Sequence, residues 1–369
     1  MRLTRREFSR LGALGLAAQM LPNKPAQAQG GGRKIGYCVI GIGRIADHFL
    51  QGVLESSNSK ITGFVSGHRD KAERFAAQYG VPKSSIYSYE DMDRMRDNKE
   101  IDAVYVALPN SMHAEYTIRS ARAGKHVLCE KPMSTTVSDA EAMIASCKAA
   151  NVKLMIAYRL HYEPLTLKTI QMIRDGALGE VQTINGAFGF NIAQGEWRTT
   201  KKYGGGGSLF DVGIYVLNAC RYLTGEEPVK FAGVTSTLDH DGRFNEVDEN
   251  VSWTMKFPSG ILATGSSTYG TAMPGYFKVF GTKGWLGMDP AYNYDGLRLR
   301  ASYFTAKGSP RVEIDESNPE RDPKQFAREA DHLAECILNN QTPTTPGEEG
   351  LRDMQYIQAI YRSAGVEVG

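Results

Sequence analysis

The stretch Val39-Ile40-Gly41-Ile42-Gly43-Arg44-Ile45-Ala46 decides the fold. It closes an apolar run that begins at residue 34, and it opens a segment, residues 45–54, whose apolar positions recur at helical spacing. A strand that ends in G-x-G-x-x-A and turns into a helix has a use for each small residue. Gly41 permits the tight turn, Gly43 lets a pyrophosphate reach the backbone, and Ala46 keeps helix and sheet close. The N-terminus of the helix is then a seat for phosphate. Gly41, Gly43, Arg44 and Ile45 are therefore candidate dinucleotide-binding residues.

Outward from this point, strands and helices alternate. Residues 60–65, 101–108, 125–129 and 152–158 read as strands, and 70–79, 112–123 and 138–150 as helices. Alternation of this kind predicts a parallel, doubly wound sheet. Near residue 180 the pattern changes. Residues 182–192, 229–238, 247–257, 260–269, 275–281 and 284–288 read as successive strands separated by turn signals, which predicts an antiparallel sheet. Helices follow at 323–339 and 347–363. The expected fold class is α/β. A Rossmann-type parallel domain covers residues 34–157, and an α+β domain with a large, open, mainly antiparallel sheet covers 158–369, for substrate and oligomerisation.

The chain begins with a different signal. Arg5-Arg6-Glu7-Phe8-Ser9-Arg10-Leu11 is a twin-arginine pattern, followed by a short apolar run and Ala26-Gln27-Ala28, a small-x-small cleavage site. Residues 1–28 are expected to be a twin-arginine signal peptide read by that export machinery, 29–33 a short arm, and the periplasm the destination. The apolar run is too short to span a bilayer, so no membrane partner is expected. The 43 basic and 41 acidic residues give +2; without the five bases and one acid of the leader, 38 and 40 leave −2. Nothing here suggests a nucleic-acid footprint. The five cysteines are scattered, and in a chain of 369 residues buried free thiols are expected over a disulfide framework. The seven histidines show no metal-binding spacing, and no metal is expected.

The second strand chooses the cofactor. An NAD-binding unit ends this strand in Asp or Glu to hold the ribose 2′-hydroxyl. Here it runs Phe64-Val65-Ser66-Gly67-His68-Arg69-Asp70-Lys71 and ends without that carboxylate. A 2′-phosphate would be held by Ser66, Gly67, Arg69 and Lys71, so NADP is expected over NAD.

Three further segments converge: Leu108-Pro109-Asn110-Ser111-Met112-His113; Cys129-Glu130-Lys131-Pro132; and the run of Gly204-Gly205-Gly206-Gly207 with Ser208-Leu209-Phe210-Asp211-Val212-Gly213-Ile214-Tyr215. With Ala157-Tyr158-Arg159, His161, Glu196-Trp197-Arg198 and Gly225-Glu226-Glu227-Pro228, this set resembles the glucose–fructose oxidoreductase and inositol dehydrogenase family over nearly the whole chain after the leader. The likeness is greatest to its exported aldose–aldose branch. The resemblance implies a tightly bound NADP and the catalytic set Lys131, Asp211 and Tyr215. Tyr89, Leu108, Asn110, His113, Glu130, Lys131, Arg159, Trp197, Arg198 and Tyr294 match positions that line the cofactor in that family. It also implies a homodimer through the open sheet.

The residue types make chemical sense. Lys131 falls at the carboxyl end of a parallel strand, where open α/β sheets bind ligands. Pro132 after it restricts the backbone and permits a cis bond. Asp211 and Tyr215 lie four apart at a helix start and share a face, while Ser208-x-x-Asp211 also reads as a capping box. A phenol is a poor base near neutral pH, and a neighbouring ammonium favours its ionised form. Tyr215 is thus expected to accept the proton of an anomeric hydroxyl, Lys131 to orient it, and Asp211 to hold the sugar. The implied function is oxidation of one aldose at C1 to an aldonolactone and reduction of a second sugar to an alditol with the same cofactor. The alternatives are an ordinary NADP-dependent aldose dehydrogenase with exchangeable cofactor, a nicotinamide-dependent glycosidase, and a non-catalytic sugar-binding protein.

Overall fold

The computed structural model describes residues 33–321 and 323–368. The expected signal peptide, its cleavage site at Ala28 and all but the last residue of the arm lie outside the described residues.

The first sheet contains β1 (Ile35–Ile40), β2 (Ser59–Val65), β3 (Ile86–Tyr87), β4 (Ala103–Val106), β5 (His126–Cys129) and β6 (Leu154–Ile156). They run parallel in the order β3-β2-β1-β4-β5-β6. That order reverses direction between β1 and β4, the point at which such sheets open a crevice for ligands. Every residue of β1 is buried, as a strand covered by helices on both faces requires. Helices α1 (Arg44–Leu54), α2 (Arg69–Tyr79), α3 (His113–Arg122) and α4 (Val137–Ala149) make the crossovers. Thr136 caps α4 by accepting from the Asp139 amide.

Helix α5 (Pro164–Arg174) leads out of this sheet. Buried Glu163 caps it through the amides of Leu165 and Thr166, and Pro164 fills the first turn, where its missing N–H costs nothing. The second sheet has eight strands: β7 (Val181–Gly189), β8 (Lys230–Ser236), β9 (Asn250–Lys256), β10 (Leu262–Thr268), β11 (Met273–Gly281), β12 (Gly284–Met288), β13 (Arg298–Phe304) and β14 (Arg311–Ser317), in the order β14-β13-β12-β11-β7-β10-β9-β8. Only the β7–β10 pair is parallel. One face, with Ile184, Trp253, Phe277 and Leu286, is buried in the core that also takes in helix α6 (Ile214–Thr224), while the other leaves Val234, Leu262 and Phe280 exposed.

The last two helices, α7 (Lys324–Leu338) and α8 (Gly347–Ser363), return toward the first sheet. Phe326, Ala330 and Leu333 of α7 join the cluster of Tyr37, Phe49 and Tyr105. The crossing is so close that a Cβ on Gly52 of α1 would stand 2.6 Å from the Cβ of Phe326. On α8, Asp353 is fully buried against Arg221, and Met354 and Ile357 enter the core shared with the second sheet. All five cysteines are buried and unpaired, as expected. Among the described residues no helix is long and apolar enough to cross a membrane, and no group of His, Cys, Asp or Glu is arranged to hold a metal ion.

Candidate active site

The glycine turn is built as its sequence implies. Gly41 has φ +88°, and a Cβ there would collide with the Ala107 carbonyl oxygen at 2.6 Å. A Cβ on Gly43 would meet nothing within 4 Å. Gly43 is also the N-cap of α1 and offers no side-chain acceptor to the first amides of the helix. An uncapped helix N-terminus beside open space is the donor set that an anionic group satisfies. These residues fit the pyrophosphate of a dinucleotide.

A cleft of about 710 Å³ starts at this turn. Its first wall is made by Gly43, Arg44 and Ile45, by Leu108, Asn110 and His113 after β4, and by Glu130 and Lys131 after β5. Arg159, Trp197, Arg198, Asp211, Tyr215 and Tyr294 complete it. Elements distant in sequence thus bring the expected catalytic residues and the residues expected from the family to line the cofactor to one cavity, Tyr89 excepted, which packs against Tyr116 outside it.

Lys131, at the tip of β5 and before a cis peptide to Pro132, has only 11% of its side chain exposed. Its Nζ donates to Asp211 Oδ1 at 3.1 Å and to the Asp211 carbonyl at 2.9 Å. It also stands 4.5 Å from the centre of the Tyr215 ring. Asp211 Oδ2 is paired with Arg198 Nε at 3.1 Å and accepts from the Tyr269 hydroxyl at 3.1 Å. Burial alone would raise the pKa of Asp211, but Lys131 and Arg198 outweigh it and hold the carboxyl down to about 2. Burial likewise opposes the charge on Lys131, and Tyr215, Asp211 and Glu130 overcome it, raising its pKa.

The capping-box reading of Ser208-x-x-Asp211 is corrected by the structure. Ser208 Oγ bonds Ser267 Oγ at 2.9 Å and caps nothing. Residues Leu209–Gly213 form a wide π-type turn ahead of α6, a local irregularity frequent at functional sites. The carboxylate of Asp211 serves the cleft instead.

The surrounding groups are held firmly. Glu130 accepts from the Tyr105 hydroxyl and the Lys131 amide, and burial raises its pKa. Both ring nitrogens of His113 lie 2.8 Å from main-chain carbonyls, those of Pro132 and Leu108, so this imidazole ties the β5 turn to the end of β4. Asn110 Nδ2 donates to Gly204 O at 2.9 Å, a buried bond. Arg159 is fully buried; its guanidinium donates to the carbonyls of Tyr292 and Asn293 and packs 4.5 Å from the Tyr294 ring and 5.4 Å from that of Tyr215. Burial pushes the Tyr294 phenol up to about 12.

The residues expected around a 2′-phosphate sit beside the cleft and do not line it. Ser66 Oγ accepts from the His68 amide at 3.1 Å, and Gly67 faces the ring of Tyr89. Lys71 Nζ reaches the Ile42 carbonyl of the glycine turn at 2.6 Å. Arg69 is turned toward Glu73 at 3.0 Å and the Ile86 carbonyl at 3.1 Å. Asp70, the nearest carboxylate in sequence, pairs with Arg74 at 3.0 Å.

Two partners of this site were given no role by the sequence, although Glu196 lies in the Glu196-Trp197-Arg198 segment that resembles the family. Tyr269 ends an alternating strand like any core tyrosine, yet its hydroxyl fixes Asp211. Glu196 bridges Arg44 at 2.7 Å and Arg198 at 3.3 Å, linking the glycine turn to the loop after β7. Only the fold brings these pairs into range.

Residues 35–158 match the oxidoreductase family with an NAD-binding Rossmann fold, and residues 166–287 match the GFO/IDH/MocA C-terminal domain. The chain is 45% identical to a crystal structure of aldose–aldose oxidoreductase from Caulobacter crescentus complexed with glycerol, with a TM-score of 0.85 over 90% of this chain and 98% of that one. It is 30% identical to D-xylose 1-dehydrogenase [NADP(+)] of Haloarcula marismortui over 90% of this chain and 91% of the relative. Levoglucosan dehydrogenase in complex with NADH and levoglucosan shares the fold, with a TM-score of 0.80 at 21% identity over 90% of this chain and 98% of that one. With both of its domains matched, the chain belongs to the GFO/IDH/MocA family of oxidoreductases.

Proposed function

We propose that this protein is an NADP-dependent sugar oxidoreductase that oxidises an aldose at C1 to an aldonolactone and reduces a second sugar to an alditol with one tightly held cofactor. The observation that carries this reading is the Lys131–Asp211–Tyr215 constellation at 3.1 and 4.5 Å inside a cleft that begins at an uncapped helix N-terminus. A bound nicotinamide supplies the hydride acceptor and, when reduced, the hydride donor. Gly43 and the first amides of α1 hold the pyrophosphate. Tyr215 takes the proton of the anomeric hydroxyl on its phenolic oxygen, and returns one to the carbonyl oxygen of the acceptor sugar. Lys131 orients that oxygen, and Asp211, ionised across the physiological range, accepts from a second sugar hydroxyl.

The leader supports export by the twin-arginine route, which carries folded protein and would allow NADP to be loaded before the periplasm is reached. A resident, recycled cofactor suits a compartment without its own supply. The exposed apolar side chains of the second sheet, Val234, Leu262 and Phe280 among them, support a homodimer through that face.

The test is absorbance near ~340 nm of purified protein, mixed with aldose and with no added nucleotide. Absorbance that appears with aldose and decays with a second sugar supports the recycling reading. Turnover that requires added NADP leaves an ordinary aldose dehydrogenase. Release of free sugar from an aryl glycoside would point to the glycosidase alternative.

A further inference from the structure

Lys131 and Tyr215 also wall a second, much smaller cavity of about 10 Å³, room for one water. Tyr158, His161, Asn218 and Tyr222 line it together with Leu160 and Ile214. None of these takes part in the chemistry proposed above.

Asn218 settles the state of His161. Its Nδ2 lies 2.9 Å from Asp353 Oδ2 and 3.4 Å from Glu349 Oε1, two acceptors. The amide nitrogen is thereby fixed toward the acids, and Oδ1 toward His161 Nε2 at 2.8 Å. An amide oxygen only accepts, so Nε2 carries the proton and Nδ1 is left with a lone pair. The hydroxyl of Tyr222, edge-on to the His161 ring at 5.2 Å, is buried without a protein partner. A buried hydroxyl in that state marks the place of an ordered water.

We propose that one water in this cavity connects Tyr215 to His161 Nδ1, and that His161 is a positioning residue that takes the proton Tyr215 must lose before it can act as a base. The O–H bond of Tyr215 breaks, its proton passes to the water, and a water proton forms the new N–H bond on Nδ1. Phenolate and imidazolium replace phenol and imidazole, and no electrons change hands. The charged and titratable groups around the ring set the balance. Burial is the largest influence and keeps the imidazole neutral at rest. Glu349, and Asp353 through Asn218, favour the imidazolium; Arg221 opposes it, as does Lys131 across the cavity. Tyr158 and Tyr222 pack against the ring as neutral phenols.

This inference rests on the reading of Tyr215 as the proton acceptor, and the experiment separates the two. In the full protein, His161→Gln keeps an amide donor for Asn218 and removes the titratable nitrogen. We expect NADP affinity within about twofold of wild type, oxidation of aldose slowed roughly 10–100-fold near about pH 7, and recovery toward the wild-type rate near about pH 9. An unchanged pH–rate profile overturns the relay. If His161→Gln does not fold, Tyr222→Phe, which deletes only an unpartnered hydroxyl, decides: a shift of the acid limb in the same direction supports the relay, and an unaltered profile overturns it. Nitrogen-15 spectra of the imidazole in the protein without sugar give a readout independent of turnover; the Nε2–H tautomer is expected, and an Nδ1–H tautomer overturns the proposal. Failure of the parent reading looks different: wild-type protein then shows no sugar-dependent absorbance, and the relay falls with it.

Discussion

Lys131 Nζ stands 4.5 Å from the centre of the Tyr215 ring while donating at 3.1 Å to Asp211 Oδ1. The ammonium is thus held between a permanent anion and a phenol, with little water around it. This geometry predicts distinct losses for the two residues that flank the reacting oxygen. Tyr215→Phe removes the proton acceptor, and we expect kcat to fall about 10²–10⁴-fold with NADP affinity nearly unchanged. Lys131→Met keeps the bulk of the side chain and removes the charge, and should lower kcat by a comparable factor. Stopped-flow absorbance near ~340 nm reads the first turnover directly. A Tyr215→Phe enzyme with wild-type rates would remove Tyr215 from the chemistry.

Asp211 carries a prediction about pH. Its carboxyl is held down to about 2 by Lys131 and Arg198 against the cost of burial, compared with about 3.9 in an unfolded chain. A depressed folded pKa contributes stability that is present above about pH 4 and lost as pH falls toward 2. The size is about 2–3 kcal/mol at neutral pH. Asp211→Asn should lose it at neutral pH and more, because two buried cations then face a neutral amide. Denaturant unfolding at pH values from about 7 to 3 should show the wild-type advantage shrinking with acid. A constant difference across that range would mean the carboxylate is not the charge that matters.

The end of β2 makes a claim about cofactor choice. Lys71 reaches the Ile42 carbonyl of the glycine turn, Ser66 accepts from the His68 amide at the strand end, and the nearest carboxylate in sequence, Asp70, is paired with Arg74. Ser66→Asp would place an anion where a 2′-phosphate is expected. NADP affinity should fall by at least tenfold and NAD affinity rise, as read by titration calorimetry. Equal loss for both nucleotides would argue that the 2′-phosphate lies elsewhere.

What the sequence made legible follows from how local each signal is. The turn at Gly41–Ala46 is a contiguous pattern whose meaning depends only on a strand before it and a helix after it, and β1 and α1 form there. Lys131 is legible because the tip of a parallel strand faces the crevice whatever the rest of the chain does. Strands β13 and β14 were not foreseen. Their alternation is intact but poor in apolar residues: Arg298, Arg300, Glu313 and Asp315 fill one face, where Arg298 and Arg300 meet Asp315 in solvent. Arg69 matches a phosphate ligand by position, and in the fold its guanidinium meets Glu73 one helical turn away and the Ile86 carbonyl on a neighbouring strand, the second of them a contact that the spacing did not announce. Tyr269 and Glu196 act through partners 58 and 152 residues distant in the chain, a separation that no spacing rule reports.

The glycine run beside the cleft yields the last prediction. Gly207 packs so closely on Asp248 that a Cβ would lie 2.2 Å from Oδ2, an oxygen buried without a hydrogen-bond partner. Burial raises the Asp248 carboxyl to about 6, although Tyr361 stabilises its charge in part. The sign is the reverse of that for Asp211. A folded pKa above the unfolded value of about 3.9 means the group costs stability as it ionises, with the cost growing from about pH 4 and complete above about pH 6. Asp248→Asn keeps the shape and removes the charge. It should stabilise the protein by about 3 kcal/mol at pH 8 and by almost nothing at pH 4. Chemical denaturation of both proteins across that range checks it. A variant less stable than wild type at pH 8 would show that the carboxylate is satisfied by a donor, such as an ordered water, and the glycine run would then owe its close approach to that donor.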